Sequence, residues 1–204
     1  MEDSQIIPGR ILNFLILGVE NNDSALFLES FLSKEKPNES NLRDTSFLLM
    51  STVALQWGQE VLCVNLTIVP SAARLSFAAT SAYEKADAAL FITSSPSIDS
   101  LQILERWMKE IKSRATNHNV STFFIIQKQD NQKMQEKVTS NSLILGKGFD
   151  DVIQISKGSS EQAQNVVKNL VWHVMGNEPK QLTNSYGTLL AVATKGNISF
   201  GNIF

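Results

Sequence analysis

Cysteine, histidine and proline are scarce in this chain: 204 residues contain one, two and five of them. Cys63 has no partner for an intrachain disulfide, and in Val61-Leu62-Cys63-Val64 it reads as a small buried hydrophobe. Together with His118 and His173 it makes a scattered trio, fewer nitrogen and sulfur ligands than a structural zinc site takes, so no metal site is expected. Charge of one sign is also missing. With 18 Lys+Arg against 20 Asp+Glu the net charge is −2, which leaves no basic footprint for nucleic acid. Long hydrophobic runs are absent too: Phe47 to Trp57 spans 11 residues, broken by Ser51, Thr52 and Gln56, against the roughly 20 that cross a bilayer. The opening Met1-Glu2-Asp3-Ser4-Gln5 is acidic and lacks the basic-then-apolar order of a secretory signal. The expectation is a soluble cytoplasmic protein with no nucleic-acid partner and no direct membrane insertion, in which the sequons at Asn22, Asn38, Asn65, Asn119 and Asn197 carry no weight.

What the chain has is apolar content, 43%, enough to bury a full core. Ile11 to Leu17 is a short apolar run closed by Gly18, the pattern of a strand buried on both faces. Asp23 or Ser24 then caps a helix bearing Leu26, Phe27, Leu28, Phe31 and Leu32. Lys34 to Asp44 reads as an exposed loop. Thr45 to Leu55 and Val61 to Val69, joined across Trp57-Gly58-Gln59, read as a β-hairpin. Pro70 to Lys85 is irregular or briefly helical, and Ala88 to Thr93 is a second buried strand.

Downstream, Ser97 or Asp99 starts the clearest amphipathic helix, with Leu101, Leu104, Trp107, Met108 and Ile111 at helical spacing. Thr122 to Ile126 is a third strand, Gln132 to Leu145 a weaker helix, and Val152 to Ile155 a fourth strand. A final helix from Ser159-Ser160-Glu161 sets Ala163, Val166, Val167, Leu170, Val171 and Val174 on one stripe and stops at Gly176 and Pro179. Strands alternating with helices predict an α/β fold in three layers: a mostly parallel sheet with one antiparallel hairpin. The stretch from Lys180 to Phe204 reads either as a short strand pair or as an apolar docking tail.

This order of elements resembles the Ras/Rab small GTPase domain over about residues 10 to 176. The local likeness is strongest in Thr80 to Ile92 and in Glu105-Arg106-Trp107-Met108-Lys109-Glu110-Ile111. The resemblance implies P-loop NTPase topology, yet the chemistry is missing motif by motif. A phosphate loop, G-x-x-x-x-G-K-[ST], uses glycine so that amides wrap the phosphates, Lys for the β/γ oxygens and a hydroxyl for Mg²⁺. In Gly18-Val19-Glu20-Asn21-Asn22-Asp23-Ser24-Ala25 only the first glycine is present; Asp23 stands for the second, Ser24 for the Lys and Ala25 for the Ser/Thr. Sliding the register by one supplies Ser24 for the metal but no Lys.

The Asp-x-x-Gly motif falls on Leu66-Thr67-Ile68-Val69-Pro70-Ser71-Ala72, which has no Asp and no Gly. Of the base-reading Asn-Lys-x-Asp, the stretch Gln127-Lys128-Gln129-Asp130 keeps Lys128 and Asp130 as relics, and Ile155-Ser156-Lys157 stands where Ser-Ala-Lys would be. No catalytic residue, cofactor or metal is expected: residues 11–179 read as a pseudo-GTPase domain, with an arm at 1–10 and a tail at 180–204.

A G domain without ligand chemistry is most simply a protein-interaction module. Asn65-Leu66-Thr67-Ile68-Val69-Pro70, Gly148-Phe149-Asp150-Asp151-Val152-Ile153 and Trp172 look like the alpha- and gamma-adaptin-binding protein family. That resemblance implies binding to clathrin adaptor (AP complex) subunits in vesicle-mediated transport. A competing resemblance, to centromere protein M of the inner kinetochore, rests on Asp87 to Gln102 and on Val167-Lys168 through Gly176-Asn177-Glu178-Pro179, and implies a nuclear location. A divergent Rab-type GTPase is the third reading. For partner contact the expected residues are Trp57, taken as exposed at the hairpin turn, and Leu75 and Phe77 in the second-switch stretch; Trp107 is expected in the core.

Overall fold

Ile11 to Leu17 lies inside a longer strand, β1 (Pro8–Gly18), and the computed structural model, which describes residues 8–32, 48–57, 60–94, 97–116, 119–128, 147–176 and 190–192, builds the sheet around it. Then come α1 (Asn21–Leu32), β2 (Leu49–Trp57), β3 (Glu60–Ile68), a 3-10 turn (Ser71–Ala73), α2 (Phe77–Glu84), β4 (Ala88–Thr93), α3 (Ile98–Arg114), β5 (Ser121–Lys128), β6 (Asp151–Ser156), α4 (Ser160–Met175) and β7 (Leu190–Val192). The sheet has seven strands in the order β6-β5-β4-β1-β3-β2-β7. Neighbours from β6 to β3 pair in parallel; β2 alone runs antiparallel, to β3 on one side and β7 on the other. The hairpin register runs from Leu49 opposite Ile68 to Trp57 opposite Glu60.

Side-chain alternation along the strands feeds two cores. Leu12, Phe14 and Ile16 of β1, with Leu62, Val64 and Leu66 of β3, pack under Phe27 and Phe31 of α1 and under Val166, Val167, Leu170 and Val171 of α4. Leu15, Leu17, Phe91 and Phe124 face the opposite way, onto Tyr83 of α2 and Leu104, Trp107, Met108 and Ile111 of α3. The fold is therefore a three-layer α/β sandwich with a mostly parallel sheet and one antiparallel hairpin, and Trp107 is in its core, 3% exposed.

Local signals explain the helix ends. Ser97 caps α3 and exchanges bonds with Ser100 in a capping box, Ser76 caps α2, and Ser159 caps α4. Gly176 ends α4 in the left-handed region, φ 63°, where a Cβ would be strained. Three residues of the expected arm begin β1, and three residues of the expected tail form β7. The expected loop at 34–44 and the expected helix at 132–145 lie outside the described residues.

Two local expectations need correction. Neither Asp23 nor Ser24 caps α1: the helix starts at Asn21, so both sit in its first turn and are buried. Nor is Cys63 a core residue. It is half-buried, because β3 points its odd-numbered side chains away from α1 and α4.

Candidate functional site

The turn between β1 and α1 is the stretch expected to correspond to a phosphate loop, and only Val19 and Glu20 separate strand from helix. Gly18 is required there by close approach: a Cβ would come within 2.6 Å of the Glu20 carbonyl oxygen and of Ser24 Oγ. The Val19 amide donates to the Ile92 carbonyl at 3.1 Å, and the Asp23 amide to the Glu20 carbonyl at 3.0 Å. The first bond ties the turn to β4, and the second closes the turn on itself.

Asp23 is 2% exposed, and its carboxylate accepts the Ser94 amide at 3.1 Å together with the Ser94 hydroxyl. Burial pushes its pKa upward against the Ser94 bonds, with Glu20 adding to the rise and Lys157 opposing it. Ser24 and Ala25 are buried as well. Asp23, Ser24 and Ala25, the three positions that the expected register sets against glycine, lysine and hydroxyl, are thus buried in the first turns of α1, and a protein carboxylate takes up the donors of Ser94. Glu20 is exposed on this turn, whereas the Asp23 carboxylate is turned inward. Among the described residues no group of three or more His, Cys, Asp or Glu side chains is placed to hold a metal ion.

The two residues expected to be base-reading relics, Lys128 and Asp130, are divided. Lys128 is half-buried at the end of β5, and its carbonyl accepts the Lys157 amide at 2.7 Å, extending the β5–β6 ladder past the strands. Asp130 lies outside the described residues. Beside Lys128, Gln127 is 1% exposed, and its Oε1 has no hydrogen-bond partner among the described residues.

The stretch expected to correspond to the second switch is anchored from within. Pro70 and Val69 are buried, and the 3-10 turn that follows leads to Arg74, whose guanidinium lies 5.9 Å from the centroid of the Trp107 ring and 3.8 Å from Glu110. The Tyr83 hydroxyl donates to the Arg74 carbonyl at 3.2 Å, and burial pushes its own pKa up to about 12. On the outer side of this anchored segment Leu75 and Phe77 are 71% and 89% exposed. Both are large apolar side chains exposed next to each other in sequence at the start of α2.

Trp57 is not part of that segment. It is the last residue of β2 and half-buried, and it meets Trp172 of α4 edge-to-face with centroids 6.5 Å apart and planes at 88°. It therefore packs on the α1/α4 side at the opposite end of β3 from the 3-10 turn. Nine residues of strand separate it from the segment of Leu75 and Phe77.

No family model and no curated protein matches this chain. The bond between Asp23 and Ser94 was not legible in the sequence, since 71 residues separate the partners. The available signal was an acidic residue just after the first buried strand together with a hydroxyl directly after the second.

Proposed function

We propose that the chain is a catalytically inactive G-like domain that serves as a protein-interaction scaffold in the cytoplasm, binding a subunit of a clathrin adaptor complex. The observation that carries the non-catalytic half is the buried Asp23 carboxylate bonded to Ser94, where a G domain would offer lysine and amides to a triphosphate. Triphosphate and metal contacts supply most of the affinity and catalysis in such domains, so their replacement by a carboxylate removes both. The scaffold half is supported by Leu75 and Phe77, exposed apolar residues on a segment fixed by Arg74 and Tyr83 rather than by a γ-phosphate. The adaptor as partner comes from the resemblance of Asn65 to Pro70, Gly148 to Ile153 and Trp172. Binding through a patch held open by internal contacts does not depend on nucleotide.

Heat-denaturing the purified protein and chromatographing the supernatant tests the first half: no GDP or GTP is released, whereas stoichiometric guanine nucleotide overturns the reading. Affinity purification followed by mass spectrometry of the bound chains tests the second. Adaptor subunits are recovered with or without added GTP; recovery of inner-kinetochore subunits instead transfers the assignment to the centromere reading.

A further inference from the structure

Two glutamates of α3 each meet two cations, and the two meetings differ. Glu105 is paired closely, with Lys109 at 2.9 Å and Lys147 at 2.8 Å. Glu110 faces Arg74 at 3.8 Å and Arg114 at 3.4 Å, both beyond the roughly 2.7–2.9 Å of a charge-assisted hydrogen bond. Two guanidiniums thus share one carboxylate that neither holds closely. The cluster carries a surplus positive charge in a chain whose net charge is −2.

Three elements hold the cluster in place. Arg74 ends the 3-10 turn, its carbonyl accepts the Tyr83 hydroxyl at 3.2 Å, and its guanidinium lies 5.9 Å from the centroid of the Trp107 ring. Arg114, in the last turn of α3, donates to Thr80 Oγ1 of α2 at 3.4 Å. The charges that act on the Tyr83 hydroxyl are Glu110, Arg74 and Arg114, so all three groups converge between α2 and α3. Trp107 Nε1, beneath Arg74, is a buried donor with no hydrogen-bond partner among the described residues. The planar fork of an arginine fits an oxyanion through two parallel bonds, which the shared Glu110 carboxylate does not supply at these distances. Donors in excess of acceptors, fixed by backbone anchors, are the makings of an anion site.

We propose that Arg74 and Arg114 form an oxyanion site between the 3-10 turn, α2 and α3, for a carboxylate or phosphate carried by a protein segment, and that Glu110 is the internal carboxylate this group displaces. Arg74 directly precedes the exposed Leu75, so a segment seated there sets its anionic group beside an apolar contact. The site does not depend on the adaptor assignment, because it reads the chemistry of the group and not the identity of its carrier.

Two fluorescein-labelled peptides, hexaglutamate and a glycine-flanked phosphoserine, are titrated into the full chain at fixed ionic strength and followed by anisotropy. Binding of either supports the site, and the tighter of the two names the source of the anion. Arg74→Gln and Arg114→Gln each weaken that binding about tenfold or more, the worth of a hydrogen bond to a charged group. Arg114→Lys, which keeps the charge and loses the fork, weakens it too. Glu110→Gln tightens it, a gain that damage to the fold does not produce. Lys109→Gln, which removes a cation already bound to Glu105, leaves it unchanged. In the nitrogen–proton NMR spectrum the Trp107 indole signal moves on binding, while those of Trp57 and Trp172, paired on the α1/α4 side, stay in place. No binding of either peptide in the millimolar range overturns the proposal. So does an equal loss in Lys109→Gln and Arg114→Gln, which means diffuse attraction, and so does Glu110→Gln binding no tighter than wild type. Neither peptide contains adaptor sequence, so these outcomes stand apart from success or failure of adaptor capture.

Discussion

Asp23 and Ser94, 71 residues apart, are joined by two hydrogen bonds to one carboxylate, from the backbone N–H and from the hydroxyl of Ser94. The pair ties the first turn of α1 to the end of β4. Because burial raises the pKa of this carboxyl in the folded state, the folded chain holds the Asp23 proton more tightly than the unfolded chain, whose aspartates titrate near about 3.9. Between the two values the folded state binds more protons, so the contribution of Asp23 to stability rises as pH falls. Wild type should therefore gain stability relative to Asp23→Asn as pH is lowered from neutrality toward 4, read as urea midpoints at several pH values. A parallel pair of curves would remove Asp23 from the titration. Asp23→Ala leaves the Ser94 amide without its acceptor and should cost about 1–3 kcal/mol.

The α4 stripe gives the strongest stability prediction. Leu170 is fully buried among side chains of both α1 and the sheet, so Leu170→Ala should destabilise by roughly 2–5 kcal/mol, a large share of the ~5–15 kcal/mol typical of a domain. The exposed neighbour Lys168 faces away from the stripe, and Lys168→Ala should stay within about 0.5 kcal/mol. Thermal melts of the two variants check the contrast. Equal melting temperatures would mean that the stripe is misplaced.

Periodicity made most of this fold legible. Ala88 to Thr93 is apolar apart from its last residue and became a strand with those bounds, and the serines before α3 and α4 became their caps because a hydroxyl there satisfies an amide that the helix cannot. What sequence could not carry is pairing at long separation. Asp23 looked like a helix cap because its residue type favours that role locally, yet Ser94 offered two donors from a distant strand end. Trp57 looked exposed because it precedes a Gly-Gln turn, yet α4 brings Trp172 against it. Cys63 looked buried because its neighbours are apolar, but in a strand successive residues face opposite ways, and among the described residues the helix core at β3 takes only its even-numbered side chains.

The tryptophan pair is itself testable. An edge-to-face contact contributes beyond its area, so Trp57→Ala and Trp172→Ala should each destabilise, and a double-mutant cycle should give a coupling of about 0.5–1.5 kcal/mol. Strict additivity of the two would show that the rings meet without interacting.

At the proposed partner site, stability and binding should separate. Phe77 opens α2 and is 89% exposed, and Leu75 is 71% exposed, so neither contributes much burial to the fold. Phe77→Asp places a negative charge in the first turn of a helix, where the amide dipoles favour it. The variant should melt within a degree or two of wild type or slightly above it. If the patch holds an adaptor subunit, the same change sets a hydrated charge against an apolar contact, and loss of a central aromatic anchor costs upward of about 2 kcal/mol, near thirtyfold in affinity. Leu75→Asp should act in the same direction, whereas Trp57→Ala should lower the melting temperature and leave capture by the remaining folded protein unchanged, because its ring is engaged with Trp172 at the other end of β3. Pull-downs with the three variants at matched folded concentration distinguish the cases. Capture that survives both aspartates but fails with Trp57→Ala would move the partner site from the start of α2 to the β2–α4 corner.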